Sequence, residues 1–224
     1  MKISTLDFLK KLERNNNREW FNEHKNLFNG AREDVISFVE ALIEEIAKFD
    51  EEIRKVDAGK SLFRIYRDTR FSHNKEPYKN NFGANIVMAK GYVKAGYYLH
   101  IQPEQSFLAG GIYMLENNRL KELRKEISSN AEEFQKIIDE ACFRRYFGGL
   151  SEEGKLKRVP AGFEKEDPMS EYLKLKHFVA TRPVSDKELL EKEASKKFAE
   201  IYKSLKPLND FLNASLGYAD QSKA

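Results

Sequence analysis

Five basic residues crowd into seventeen positions near the middle of the chain. Residues 63–79 read Phe-Arg-Ile-Tyr-Arg-Asp-Thr-Arg-Phe-Ser-His-Asn-Lys-Glu-Pro-Tyr-Lys. Arg64, Arg67, Arg70, Lys75 and Lys79 meet only Asp68 and Glu76 within the run, and Phe63, Tyr66, Phe71 and Tyr78 are interleaved. The guanidinium is a planar fork of donors that suits carboxylate or phosphate oxygens. Read as a strand, the run places Arg64, Tyr66, Asp68 and Arg70 on one face and Phe63, Ile65 and Arg67 on the other. Three arginines beside a core strand are costly to desolvate, so they call for anionic partners.

Three readings of the run stand side by side. In the first it is a site for a small anion, a phosphate or a carboxylate, with catalysis on that ligand as an extension. Arg64, Arg67 and Arg70 hold the anion, and Lys75 and Lys79 close over it. Asp68 orients the arginines or serves as base, and Tyr66 or Tyr78 donates a proton. This reading predicts a concave site and a strongly shifted titration at Asp68. In the second, bases of a single-stranded nucleic acid stack on Tyr66 and Tyr78 while the cations track its backbone. The third is a salt-bridge network that pins a loop in a protein-interaction module. It predicts that Arg67→Ala costs more than ~3 kcal/mol, as breaking a buried pair does.

His100 joins the candidate catalytic residues from outside the run. It falls on the polar side of an alternating strand pattern, beside Tyr98 and Gln102. There it is either a general acid or base or a group closing a hydrogen bond at the sheet surface. His73 reads as a plain loop residue. Cys142 reads as a small buried apolar side chain, and Trp20 as a core anchor.

These residues need elements to position them. Ser4 or Thr5 caps a first helix, and Asn17 a second that runs to about Phe28. Gly30 separates that helix from a core-facing one carrying Val35, Phe38, Val39, Leu42 and Ile46 at spacings of three and four. The period then changes. Leu62–Arg67, Phe82–Ala89, Tyr97–Ile101 and Ser106–Met114 read as strands, with Gly110-Gly111 marking a bulge or a close backbone approach. Short links between them favour an antiparallel meander. Helical pattern returns at Asn118–Ile127 and Ala131–Ala141. Leu156–Val159 and His177–Val184 read as short strands. Ser185-x-x-Glu188 is a capping box opening a C-terminal helix through Leu205, and Pro207 starts one more turn. The order predicts an α+β fold, a central mostly antiparallel sheet with helices at both ends of the chain. It also predicts one compact domain over 1–219 with a frayed tail at 220–224.

Composition narrows the classes. The chain has 224 residues with Lys plus Arg 39 against Asp plus Glu 36, a net charge of +3. That mild excess weighs against a dedicated nucleic-acid binder. Its 16 Phe and 10 Tyr can build a core, which excludes disorder as the main state. The longest stretch without a charge, Gln105–Leu115, is eleven residues, too short to span a bilayer. A single Cys and no signal-like leader fit a reducing cytoplasm. One Cys and four scattered His do not suggest a structural metal, and no nucleotide loop or cofactor fingerprint is present. No cofactor is implied, and nothing in the pattern indicates an oligomeric state.

The run Phe63-Arg64-Ile65-Tyr66-Arg67-Asp68-Thr69-Arg70-Phe71-Ser72, followed by Lys75, Pro77, Tyr78 and Lys79, resembles the hallmark of a bacterial family of conserved hypothetical proteins, domain-of-unknown-function family 2461. Asn16-Asn17-x-x-Trp20-Phe21, His100-Ile101-x-Pro103, Gly110-Gly111-x-Tyr113 and Leu156-Lys157-Arg158-Val159-Pro160-x-Gly162-Phe163 are similar to further pieces of it, in the same order. The likeness spans residues 4–210. Ala161 departs from it, where a larger and often basic residue is expected. The resemblance implies one compact domain and supplies no activity.

Overall fold

The computed structural model describes residues 1–88 and 94–218. The fold is α+β, as the order of elements predicted, with about 50% helix and 13% strand. The chain begins with α1 (Ile3–Arg14), α2 (Arg18–Glu23) and α3 (Lys25–Ile46), then a 3-10 turn (Glu51–Lys55) and the single-turn α4 (Ala58–Ser61). Strands β1 (Phe82–Ile86), β2 (Gly96–Ile101) and β3 (Ser106–Ile112) follow. Next come α5 (Asn117–Ser129), α6 (Ala131–Ile138), α7 (Ala141–Phe147) and α8 (Ser170–Leu173). The order closes with β4 (Phe178–Val184), α9 (Asp186–Leu190), α10 (Ala194–Lys203) and α11 (Lys206–Ser215). The strands form one antiparallel sheet in the order β1-β2-β3-β4. Among the described residues no helix is long and apolar enough to cross a membrane.

Contacts divide the chain into two compact units. The first comprises Met1–Ile86, Tyr98–Leu108 and Pro183–Glu200, and the second Val87–Tyr97, Ala109–Arg182 and Ile201–Ala224.

In the first unit α3 supplies the spine. Val35, Val39, Leu42 and Ile46 are fully buried, and α1 turns Leu6, Leu9 and Leu12 into the same core. The two helices are pinned at one end by Asp34, whose carboxylate accepts from the Thr5 hydroxyl at 2.6 Å and the Lys2 N–H at 2.9 Å. Thr5 therefore ties helix to helix rather than capping α1, which starts at Ile3 without a side-chain cap. Asn17 does cap α2, accepting from the Trp20 N–H. Gly30 does not end a helix. A Cβ there would meet nothing within 4 Å, and α3 runs straight through it. A solvent-facing glycine costs a helix only about 1 kcal/mol, less than the core face of α3 returns.

In the second unit α5, α6 and α11 pack around Phe134, whose ring lies 5.3 Å from Phe211 and 6.5 Å from Phe178. Asn213 on α11 holds the backbone of Ala95, accepting from its N–H at 2.8 Å and donating to its carbonyl at 3.2 Å. The glycine pair of β3 is a close approach. A Cβ on Gly110 would strike Leu205, and one on Gly111, at φ +107, would strike the Phe178 carbonyl.

Several expectations give way. Leu62–Arg67 is not a strand but an irregular segment with isolated antiparallel bridges, Leu62 to Ala84 and Tyr66 to Tyr78. Leu156–Val159 is loop, held by the Leu156 N–H donating to the Lys174 carbonyl. The expected helix through Ala141 ends at Ile138, and α7 opens on a new cap where Glu140 accepts from the Phe143 N–H. On α7 the core takes Phe143 and Phe147, four residues apart, so Cys142 is exposed rather than buried. The C-terminal helix is broken between α9 and α10, although its Ser185–Glu188 capping box forms. The expected strand over 82–89 ends at Ile86, and its last residue and the tail at 220–224 lie outside the described residues.

Candidate functional site

The basic run folds as an open hairpin in the first unit. The Phe63 N–H donates to Gly83, the Arg67 N–H to Pro77, and the Lys79 N–H to Ile65. Residues 63, 65 and 67 thus bond to the returning segment, and antiparallel alternation turns the backbone groups of Arg64 and Tyr66 to the opposite edge. Among the described residues neither of those two N–H groups makes a hydrogen bond. Asn16 anchors the return. Its amide accepts from the Tyr78 N–H at 3.1 Å and donates to the Tyr78 carbonyl at 3.0 Å. The Tyr78 ring is buried and stacks on Phe21 at 4.0 Å. Burial, first, and then the neighbouring Tyr66 push its phenol above the ordinary range.

The cations of the run meet different fates. Arg70 is bidentate to Asp68, at 3.0 and 2.7 Å, both groups well exposed. That bond holds the Asp68 carboxyl below its usual value, with Arg64 contributing a lesser Coulombic pull. Arg67 reaches Glu76 at 3.5 Å. Lys75 donates to the Thr69 carbonyl at 3.0 Å. Lys79 lies over the Phe63 ring at 5.3 Å, and burial together with the like charge of Arg64 lowers its pKa. The expected desolvation cost falls away, because Arg64 and Arg70 are exposed and Arg67 is only half-buried.

Arg64 differs from its neighbours. Among the described residues it forms no ion pair, and it lines a cavity of about 280 Å³. Phe28, Leu62, Phe63, Ile65, Tyr66 and Phe82 make the walls, and Arg32 of α3 supplies a second guanidinium, also without an ion pair. No carboxylate lines the cavity. Of the nine candidate residues, Arg64 and Tyr66 border it. Phe28 and Arg32 were not candidates, and they sit four apart on one face of α3. A helix read through Gly30 would have shown them together.

His100 lies on β2 in a separate polar line. Its Nδ1 is 3.1 Å from the Tyr98 hydroxyl and its Nε2 3.0 Å from Gln102 Oε1, while its ring stacks on Phe107 at 4.6 Å. Burial lowers its pKa, against a smaller opposing effect of the Gln102 bond. His73 is exposed on the hairpin tip. Among the described residues no three His, Cys, Asp or Glu side chains gather as a metal site.

The second unit holds a wider groove of about 680 Å³, lined by Glu126, Glu133, Glu140 and Asp210 around Ile137 and Phe211. Here three of the four acids are engaged. Asp210 pairs with Lys206, Glu126 accepts from Asn130, and Glu140 caps α7.

A family model described as conserved hypothetical protein (DUF2461) matches residues 4–211. No curated protein and no solved structure matches the chain.

Proposed function

The chain belongs to the conserved hypothetical protein family DUF2461, whose description names no activity, and from the chain's own geometry we propose that the cavity between α3 and residues 62–66 binds a small carboxylate or phosphate. The observation that carries this is the pair Arg32 and Arg64, two guanidiniums on one cavity with no acid in its lining and no ion pair of their own. A structural arginine normally has a carboxylate or carbonyl to hold it, and these two have none among the described residues. Two guanidinium forks on one concave, largely apolar wall suit an oxyanion. The free N–H groups of Arg64 and Tyr66 are available as further donors.

The role is binding, with Arg64 and Arg32 holding the anion and Tyr66 within the same lining. Asp68 and Arg70 serve one another, and Lys79 adds positive potential behind Phe63. The nucleic-acid alternative needs two open stacking faces. Tyr66 offers one, but Tyr78 is 3% exposed and already stacked on Phe21.

Isothermal titration of the full chain with inorganic phosphate and with acetate, in low-salt buffer free of other oxyanions, tests the reading. Binding lost in Arg64→Ala and in Arg32→Ala, and kept in Arg70→Ala, is expected. Equal loss in all three would reduce the effect to general positive charge, and no heat with any anion, including the organic ones below, would overturn the proposal.

A further inference from the structure

Resting on that anion reading, we infer that the ligand is a monocyclic aryl anion, a flat apolar ring bearing one carboxylate or phosphate. The polar inventory of the cavity is short. Its side chains offer the guanidiniums of Arg32 and Arg64 and the Tyr66 phenol, and its backbone the N–H and C=O groups of Arg64 and Tyr66. The two guanidiniums, the only charged groups of the lining, are donors for one anionic group. The lining contains no carboxylate, amide or imidazole side chain to answer sugar hydroxyls or the edge of a nucleobase. A ligand with a second polar region set against Phe28, Leu62, Ile65 and Phe82 would meet no polar side chain there, and a polar group buried without a partner costs as much as an anion contact returns.

The remaining surface is aromatic and already set. Phe28 stacks on Phe82 at 6.3 Å with an interplanar angle of 14°, and meets Phe21 at 5.2 Å and Phe8 at 6.0 Å. Phe63 is held between the Lys79 ammonium and the Tyr98 ring, 6.1 Å away. Rings fixed by their neighbours lose little freedom when another ring packs on them. Phe63 and Tyr66 nevertheless remain 37% and 53% exposed, on either side of Arg64 in the chain. Large aromatic surface left open beside an unpaired cation is the complement of a ring carrying a negative charge. A ring there can adopt the offset or edge-on geometry that adds to simple burial. At about 280 Å³ the cavity falls just below the range that takes drug-sized ligands, roughly 300–1,000 Å³. That volume is filled by one ring and its charged group.

The test is a set of titrations of the full chain with phenyl phosphate, benzoate, inorganic phosphate, acetate, benzamide and adenosine monophosphate. Phenyl phosphate should bind at least about tenfold tighter than phosphate, and benzoate likewise against acetate. The nucleotide should bind no tighter than phosphate, and neutral benzamide weakly. The tighter of phenyl phosphate and benzoate names the anionic group. Phe63→Ala, a change at a half-exposed position, should remove the advantage of the ring and leave phosphate binding in place. Arg64→Ala should remove both. Phosphate binding as tightly as phenyl phosphate, or the nucleotide binding tighter than either, would overturn the aryl class while leaving the anion site standing. Benzamide binding as tightly as benzoate would overturn the anion reading itself, as would silence from every anion.

Discussion

The two concavities of this chain invite comparison, because each sets charged side chains around an aromatic floor. In the second unit the groove is the larger, and it is ringed by four acids. Three of those acids already serve the fold, Asp210 by pairing along α11, Glu126 by accepting from Asn130 and Glu140 by capping α7, while the Glu133 side chain forms no ion pair or hydrogen bond among the described residues. In the first unit the cavity is less than half the volume, yet its two guanidiniums form no ion pair or hydrogen bond among the described residues. Size and the number of charges alone would favour the groove. What marks the smaller cavity is charge of one sign with no acid in its lining, where the groove mixes Lys136 among its acids. The same contrast recurs inside the basic run, where Arg70 and Arg67 have carboxylates and Arg64 has none.

The comparison breaks most visibly if architecture and site are exchanged by substitution. Gly111→Ala should be the most damaging single change. It places a Cβ against the Phe178 carbonyl in a backbone conformation, φ +107, that side chains rarely adopt. Strain and clash together should cost more than ~3 kcal/mol, read as a lowered urea midpoint. Survival of Gly111→Ala at wild-type stability would mean that β3 and β4 can part without loss.

Arg64→Ala should show the opposite signature. Affinity for the anion should fall at least about tenfold, since a charge-assisted contact contributes about 1.5–3 kcal/mol. The melting temperature of the unliganded chain should not fall, because no internal partner is lost. A large drop in melting temperature without ligand would show that Arg64 is structural and would erase the difference between the two concavities.

Much of this was legible in the sequence, and the gaps have physical causes. The α+β order, the Asn17 cap, the Ser185–Glu188 capping box and the Gly110-Gly111 approach follow from local rules that need no tertiary information. Periodicity failed where a weak local penalty was outvoted, as at Gly30, and that one misplaced boundary hid Arg32 from the site. It failed again at Leu156–Val159, where apolar and branched residues sit in a loop because Lys174 offers a single carbonyl and no strand. The basic run was conspicuous as a composition, but composition cannot say which arginine has a carboxylate in reach. Asp68 lies two residues before Arg70 and Glu76 nine after Arg67, distances that only the hairpin turns into contacts.

Arg67→Ala sharpens that point with a smaller effect. The pair with Glu76 is half-exposed and long, at 3.5 Å, and pairs of that kind contribute at most about 1 kcal/mol. The expected change is a shift in urea midpoint within that bound and no change in anion affinity. A loss above ~3 kcal/mol would restore the reading of the run as a buried network.

The smallest expected effect belongs to His100, and it carries a sign. Burial lowers the pKa of its imidazole below the ordinary 6.5. Between the ordinary value and the lowered one, the unfolded chain therefore binds more protons than the folded chain, and stability rises with pH across that window. As pH falls through it, the folded protein must give up the neutral ring that sits between the Tyr98 hydroxyl and Gln102. The His100 ring protons should titrate with a midpoint below 6.5 by NMR, and the urea midpoint should climb over the same interval. His100→Gln should flatten that climb without altering anion affinity, since His100 is not part of the cavity lining. A midpoint above 6.5 would mean that a carboxylate or bound anion faces the ring, and the polar line on β2 would then join the site rather than the scaffold.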